Sequence, residues 1–150
     1  MKKRLNDGFT LIELMIVVAI VAILTSIAYP AYTSSIVKGK RAEGRTALAE
    51  LLQQQERFMT QTNSYCAFSN TAGTTAVVAG CATVPFKTFS GDSQAKAAYY
   101  LSADACPNST IAECVRVSAV PIKSDAEAGT LQVLSTGTKT CTGNNTTVCW

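Results

Sequence analysis

The chain has 150 residues and a mass of 15.9 kDa, and 47% of its residues are hydrophobic, which is enough for one domain with a buried core. Its formal net charge is +3, of which Lys2, Lys3, Arg4 and Asp7 together contribute +2, so the rest of the chain lacks a strong basic field for nucleic acid. Histidine is absent, which removes the commonest general base and the commonest zinc ligand. We therefore expect no enzyme activity, no cofactor and no metal site.

An apolar segment follows a short basic leader. Residues 9–29 carry one charge, that of Glu13, in 21 positions. As a helix, this segment is long enough to cross a hydrocarbon core of about 30 Å. Basic residues precede it, so the positive-inside tendency places residues 1–8 in the cytoplasm and the rest outside. The sequence predicts a membrane span. A cleaved secretory signal is the alternative, because the small residues Ser26 and Ala28 follow the apolar run.

Glu13 needs a partner in this apolar setting. A carboxylate facing hydrocarbon costs about 2.5 to 3.5 kcal/mol, and no Lys, Arg or His lies between Phe9 and Ile36. Proteolysis between Gly8 and Phe9 would create a positively charged α-amine. That amine could pair with Glu13 on the same helix or on a neighbouring helix. In the second case Glu13 would set the axial register between subunits.

These residues resemble the type IV pilin family. The resemblance rests on the basic leader that ends in Gly8, the sequence Phe-Thr-Leu-Ile-Glu at residues 9–13, and the uninterrupted apolar helix with Pro30. Residues 41–65 are also similar to the corresponding part of small minor pilins. The resemblance implies cleavage after Gly8 by a prepilin peptidase, N-methylation of Phe9, and pairing of Glu13 with a neighbour's terminal amine.

The resemblance also implies partners and a location. The partners are other pilin subunits, the prepilin peptidase and the pilus assembly machinery of the bacterial inner membrane. The protein would wait in that membrane and then enter an extracellular pilus (fimbrium) for adhesion, twitching motility or DNA uptake. Two alternatives stay open: a minor pilin whose head binds DNA or a surface ligand, and a pseudopilin of type II secretion. Asp92, Asp104, Asp125 and Glu127 show no calcium-loop spacing, which counts against calcium-binding pseudopilins.

Three segments are expected: a leader at residues 1–8, a transmembrane and filament-core helix at 9–36, and a globular head outside the inner membrane at 37–150. Pro30 predicts a kink, because it lacks an amide hydrogen and crowds the preceding turn. The helix should continue to about Thr62. Its packed stripe would contain Leu48, Leu51, Leu52 and Phe58 or Met59, and Arg41 is among the polar residues assigned to the wet face.

The rest of the head predicts an antiparallel sheet. Residues 66–96 read as a long loop, whereas residues 97–103, 114–122 and 130–136 have the composition of strands separated by turns. The expected fold class is therefore α+β, a pilin fold. Its long N-terminal helix would pack its rear half on a sheet of three or four strands, with disulfide-stapled loops.

Six cysteines all follow the apolar segment, which indicates disulfides formed in an oxidising compartment. Fifteen pairings are open, and we favour the sequential one: Cys66 with Cys81, Cys106 with Cys114, and Cys141 with Cys149. The first of these would close a loop of about 15 residues and contribute about 3 kcal/mol.

Basic residues scattered through the head form a candidate ligand surface for DNA: Lys87, Lys96, Arg116, Lys123 and Lys139. Scattered lysines are also typical of an ordinary solvated surface. Trp150, which follows Cys149, is better explained as a packed anchor than as a platform for stacking bases.

Overall fold

The computed structural model describes residues 9–150. Within these residues the one α-helix, α1, spans Leu11–Thr62 without interruption, through Pro30. The chain forms two compact units, the first ending at Lys38 and the second comprising Gly39–Trp150. The predicted segment boundaries at residues 8 and 36 and the kink at Pro30 stay predictions.

Helix α1 ends where a residue leaves right-handed backbone conformation. Asn63 has a φ of 60°, and its amide donates to the carbonyl of Met59 at 2.9 Å. Asparagine tolerates this left-handed conformation better than most residues, so it is a common helix terminator. The helix therefore ends close to its predicted position.

The second unit contains a six-stranded antiparallel sheet in the order β2-β1-β3-β4-β5-β6. The strands are β1 (Ala67–Thr71), β2 (Thr74–Ala79), β3 (Tyr99–Ala105), β4 (Val115–Pro121), β5 (Leu131–Leu134) and β6 (Lys139–Cys141). Two short 3₁₀ helices, Gln94–Lys96 and Thr146–Val148, lie in the connections. The predicted α+β fold class is confirmed.

The predicted strand number was wrong. Strands β3, β4 and β5 correspond to the three predicted strands, but β1 and β2 form a hairpin inside the predicted loop at residues 66–96, and β6 follows a tight turn. The hairpin escaped prediction because its strands show no regular alternation of apolar and polar residues, although four residues of β2 are β-branched. Its turn, at Ala72 and Gly73, has φ values of 51° and 89°, which gives the two-residue geometry that strand twist favours.

The core lies between the rear of α1 and one face of the sheet. Along β3 to β5, the residues facing the helix alternate with more exposed ones. Leu48 and Leu51 of the helix are almost fully buried in the same cluster as Phe68 of β1. The central strands complete the cluster with Tyr99, Leu101, Ala103, Val115, Val117, Ala119, Leu131 and Val133.

The buried stripe of the helix differs in part from the predicted one. Leu48 and Leu51 are buried as expected, and Leu52, Phe58 and Met59 pack at its margin. Arg41 was wrongly assigned to the wet face, since the residue is only 4% exposed. Gly44 also belongs to the stripe, because a Cβ atom there would lie 2.9 Å from Cε2 of Tyr99 and 3.3 Å from Cδ1 of Leu131.

We predict that Gly44→Leu destabilises the second unit, whereas Gly39→Leu does not. A side chain at Gly44 would overpack the contact with Tyr99, which typically costs about 1 to 3 kcal/mol. Nothing lies within 4 Å of a Cβ atom at Gly39, where the gain in helix propensity is the same. Urea unfolding of a soluble head fragment (residues 36–150) measures the difference, and equal stabilities of the two variants would contradict the predicted packing.

Candidate functional site

The first described turn of α1 contains the carboxylate that the sequence singled out. Glu13 Oε2 accepts hydrogen bonds from the backbone amide of Thr10 at 2.9 Å and from its hydroxyl at 2.7 Å. In return, the amide of Glu13 donates to Thr10 Oγ1 at 3.3 Å. This reciprocal arrangement is a capping box. The sequence analysis missed it, although the Thr-x-x-Glu spacing is its signature.

The helix of the first unit has an uncovered apolar surface. Its most apolar 18-residue window is 0% buried, and the helix is long and apolar enough to cross a membrane. The side chains involved are large, and Leu11, Ile12, Leu14 and Met15 are each more than 60% exposed. Apolar surface of this extent requires lipid or other protein around it.

The structure describes one of the two residues at the predicted cleavage site. Gly8, on the amino side of the predicted cleavage site, lies outside the described residues, as does the whole predicted leader at residues 1–8. Phe9, the predicted N-methylation site, is described and is 87% exposed, two residues before α1 begins. Cleavage and methylation stay predictions.

The rear of the helix is tied to the β4–β5 loop by a buried ion pair. Arg41 donates through Nε and Nη2 to the two carboxylate oxygens of Asp125, both at 2.7 Å, and through Nη2 to Glu127 at 2.7 Å. This bidentate geometry is the strong form of such a contact. The hydrogen bonds from Arg41 hold the pKa of Asp125 below its ordinary value, although burial acts in the opposite direction.

The β4–β5 loop is joined in turn to the C-terminal loop. The amides of Gly143, Asn144 and Asn145 donate to the carbonyls of Ala128, Ala126 and Glu127, at 3.0, 3.0 and 2.9 Å. The Cys141–Cys149 disulfide closes the C-terminal loop. The Arg41 contact therefore anchors two loops to the helix at once.

The structure joins the cysteines in the three sequential pairs, Cys66 with Cys81, Cys106 with Cys114, and Cys141 with Cys149. The first of these pairs has a helical support that the sequence analysis missed. The side chain of Gln55 is fully buried, donates to the Cys66 carbonyl at 2.7 Å and accepts from the Cys66 amide at 2.9 Å. A buried glutamine thus takes the place of a neighbouring strand for Cys66.

Another polar contact missed from the sequence connects the helix with the segment before β3. The buried hydroxyl of Ser90 donates to Glu43 Oε1 at 2.5 Å. The Ser90 hydroxyl oxygen also accepts hydrogen bonds from the amides of Ala98 and Tyr99, both at 3.0 Å. The one donor and both acceptor positions of this hydroxyl are therefore used in holding the segment before β3 to the helix.

Three of the predicted ligand-surface residues have partners within the second unit. Arg116 forms an ion pair with Asp104, which lies directly opposite it on β3. The ammonium groups of Lys139 and Lys87 lie over the rings of Trp150 and Phe89, at 5.3 and 5.2 Å from the ring centroids. Such contacts leave the positive charges exposed but orient the side chains.

Lys96 and Lys123 lie at one end of the β3–β4 pair. At this end Tyr99 of β3 lies opposite Pro121 of β4, and the amide of Ile122 donates to the carbonyl of Ala98 at 3.0 Å. Lys96 and Lys123 precede and follow these paired residues, so they flank the same end of the sheet. Arg116 lies toward the opposite end and Lys139 on the far edge strand, so the five residues form no single cluster.

A shallow groove between the helix and the sheet has a cavity volume of about 10 Å³ and is lined by Ala47, Glu50, Leu51, Gln54, Lys87, Phe89 and Leu101. Clefts that hold small-molecule ligands usually measure about 300 to 1,000 Å³, so this groove is too small for such a ligand. The two candidate sites described within residues 9–150 are surfaces: the apolar helix of the first unit and the dispersed cations of the second.

Two models of known protein families match most of the chain. Residues 3–29 match the model of the prokaryotic N-terminal methylation motif. Residues 30–141, about three quarters of the chain, match the model described as type IV minor pilin ComP, DNA uptake sequence receptor. The helix, the antiparallel sheet and the methylation motif are those of a pilin. The chain belongs to the type IV minor pilin family that this second model describes.

Individual relatives match over shorter stretches. The type IV major pilin protein PilA of Myxococcus xanthus is 44% identical over 68 residues, which is 45% of this chain and 31% of that protein. The type IV major fimbrial protein FimA of Dichelobacter nodosus is 49% identical over 61 residues, covering 36% of this chain and 38% of FimA. The chain spans about a third of the length of these curated relatives. No solved structure matches it.

The methylation motif, the apolar helix and the fimbrial relatives confirm the predicted location, which is the bacterial inner membrane before assembly and the pilus afterwards. The residues assigned to cleavage, methylation, register and ligand binding stay predictions.

We predict that the Arg41–Asp125 pair makes the head fragment less stable as the pH falls into the acidic range. Folding lowers the pKa of Asp125, so its ionised form favours the folded state. This contribution is complete well above the unfolded pKa of about 3.9 and is lost as the pH falls through the lower folded value. Asp125→Asn should cost about 2 kcal/mol at pH 7 and flatten the acid limb of the unfolding free energy.

The control for this prediction is Asp92→Asn, which removes an exposed carboxylate that forms no ion pair within residues 9–150. Urea unfolding from pH 7 to pH 3 compares the two variants. An acid limb that is equally steep in Asp125→Asn and in the unaltered fragment would show that other carboxylates account for it.

Proposed function

We propose that the chain is a minor subunit of a type IV pilus, anchored in the inner membrane by α1 and assembled into the filament through the same helix. The observation that carries this proposal is the uncovered apolar surface of the first unit, joined in one chain to a pilin head. Bundled helices from many copies would cover that surface when the subunit leaves the lipid. Removal of residues 1–8 by a prepilin peptidase would precede assembly.

The capping box gives Glu13 a role in two states. In the single chain, Thr10 supplies two donors to Glu13 Oε2, which lowers the cost of placing the carboxylate near the membrane. In the filament, the terminal amine of a neighbouring Phe9 would offer a charged partner, which is stronger than the neutral donors. Replacing the Thr10 hydrogen-bond donors by that amine would stabilise one axial register between subunits. The role of the protein is then structural, and none of the contacts described above calls for catalysis.

We expect Glu13→Ala to leave membrane insertion intact and to reduce incorporation into pili by at least about tenfold, because loss of a buried charge pair costs several kcal/mol. Immunoblots of sheared pili and of membrane fractions measure the two effects. Ile12→Ala, a neighbouring change that keeps the carboxylate, serves as the control. Mass spectrometry of both proteins establishes that each begins at Phe9, and normal incorporation of the Glu13 variant would refute the register role.

A second candidate function is reception of DNA by the head. It is supported by the match of residues 30–141 to a family described as a DNA uptake sequence receptor, and by four exposed lysines. Because Lys87 and Lys139 lie over aromatic rings and Lys96 and Lys123 flank another end of the sheet, contacts with DNA would be spread over several loops. Few phosphates would then be neutralised at once, and base contacts would have to supply the affinity.

For this second candidate we expect the head fragment to bind duplex DNA at low salt, with an affinity that falls as salt rises. Lys96→Gln combined with Lys123→Gln should lower the slope of log affinity against log salt by about 1 to 2. Fluorescence anisotropy at 50 and 200 mM salt is suitable. Lys38→Gln provides a control at the start of the helical part of the fragment, and absence of binding at the lower salt would dispose of DNA reception.

A further inference from the structure

The two edges of the sheet differ in how they are protected. Strand β6, at one edge, has three residues, carries Lys139, and its Thr140 carbonyl accepts a hydrogen bond from Trp150 Nε1 at 3.1 Å. Short length, a lysine and a covering side chain are the usual means by which proteins prevent edge strands from pairing with other chains. This edge is therefore closed.

Strand β2, at the other edge, has none of these protections. Its six residues, Thr-Thr-Ala-Val-Val-Ala, contain no charge and no proline, and five of the six are exposed. Val77 and Val78 are 39% and 66% exposed. The surrounding residues 66–86 are also free of charged side chains. An uncharged, β-branched edge of this length is a template for an additional strand.

The hairpin register identifies the free backbone groups. Thr71 and Thr74 flank the two-residue turn and face each other, and in such turns this pair exchanges hydrogen bonds. Because hydrogen-bonded and non-hydrogen-bonded pairs alternate, the amide and carbonyl groups of Thr75 and Val77 point away from β1. Neither residue has a backbone partner on that side within residues 9–150.

We propose that β2 pairs with β2 of a second copy of this chain, antiparallel about a two-fold axis at Ala76. This register places Thr75 opposite Val77 of the other copy, and the reverse, so that all four outward groups on each strand form hydrogen bonds. A register centred on Thr75 would instead place Val77 opposite Gly73, whose carbonyl already accepts from Gln94 Nε2 at 2.8 Å. A register centred on Val77 would place Thr75 opposite Ala79, beyond the irregularity in the β1–β2 pairing.

A second copy suits this edge better than a partner of another chemistry. The segment offers no cation to a phosphate or an acidic peptide and no anion to a basic one. An identical strand brings the same uncharged surface, so pairing about a two-fold axis meets no charge repulsion and buries Val77 and Val78 along the contact.

The contact is small, because six residues per copy bury far less than the surface of a stable dimer. It becomes effective where copies are held close together, because attachment to one membrane or to neighbouring filaments raises their effective concentration. If the chain is a pilus subunit as proposed above, subunits within one filament are related by a helical operation and not by a two-fold axis. The β2 contact would then join two filaments side by side.

The test is cross-linking of the full-length chain in membranes. In the proposed register Ala76 faces its own counterpart in a non-hydrogen-bonded pair, where Cβ atoms lie about 4.5 to 5.5 Å apart. A76C should therefore form a disulfide-linked dimer under mild oxidation. Position 74 would lie opposite position 78, so two copies of residue 74 would be about 14 Å apart and beyond disulfide reach. T74C, at an exposed position in the regular part of the strand, should give roughly tenfold less dimer.

Proline substitutions show whether backbone pairing is responsible. Thr75→Pro and, separately, Val77→Pro remove an amide that points away from β1, so each should keep the hairpin and reduce the A76C dimer by about tenfold. Resistance to limited proteolysis identifies which of the two variants is folded, and that variant decides the matter. Equal dimer from A76C and T74C, undiminished dimer in the folded proline variant, or linkage of A76C to a different polypeptide would overturn the proposal. None of these readouts depends on filament assembly.

Discussion

The head depends on the burial of one stripe of the helix against one face of the sheet. Leu48 and Leu51 supply the apolar part of this contact, and two polar side chains hold it at either end. Arg41 binds the β4–β5 loop, and Gln55, about 21 Å further along the helix, binds the backbone of Cys66. These directional contacts add to the apolar packing in fixing the helix, because a slide or a rotation would break both of them.

These anchors explain how a small unit with a single helix keeps its loops in place. Arg41 reaches the β4–β5 loop, that loop is joined by backbone hydrogen bonds to the C-terminal loop, and the Cys141–Cys149 disulfide closes the latter. At the other end, Gln55 fixes Cys66, and the Cys66–Cys81 disulfide closes the β1–β2 hairpin. Each of these two disulfides therefore stabilises a loop that the helix also holds by a buried polar group.

The function would depend on two surfaces, the front of α1 and the exposed part of the head. The front of α1 is apolar and uncovered, so it requires a membrane or a bundle of similar helices. The head instead exposes loops and edge strands. Contacts with the helix and disulfides hold these segments in place, so their exposed side chains are free to differ in chemistry. One edge is closed by Lys139 and Trp150, while the other is an uncharged hairpin. A subunit of this type can keep its assembly helix constant and change its partners through the head.

The sequence by itself determined the apolar helix, its lone carboxylate and the helical stripe at Leu48 and Leu51, because local spacing and composition specify these features. The class of protein followed from the resemblance of the leader and of residues 9–13 to a known family. The three central strands were recognisable for the same reason, since Val115, Val117 and Ala119 alternate with other residues. Tertiary structure alone decided that Arg41 is buried, because its partners Asp125 and Glu127 lie more than eighty residues away. It also decided the β1–β2 hairpin and the place of Gln55. A strand without regular alternation, or a buried glutamine, has little local signal, and the neighbours that the fold brings to it make it favourable.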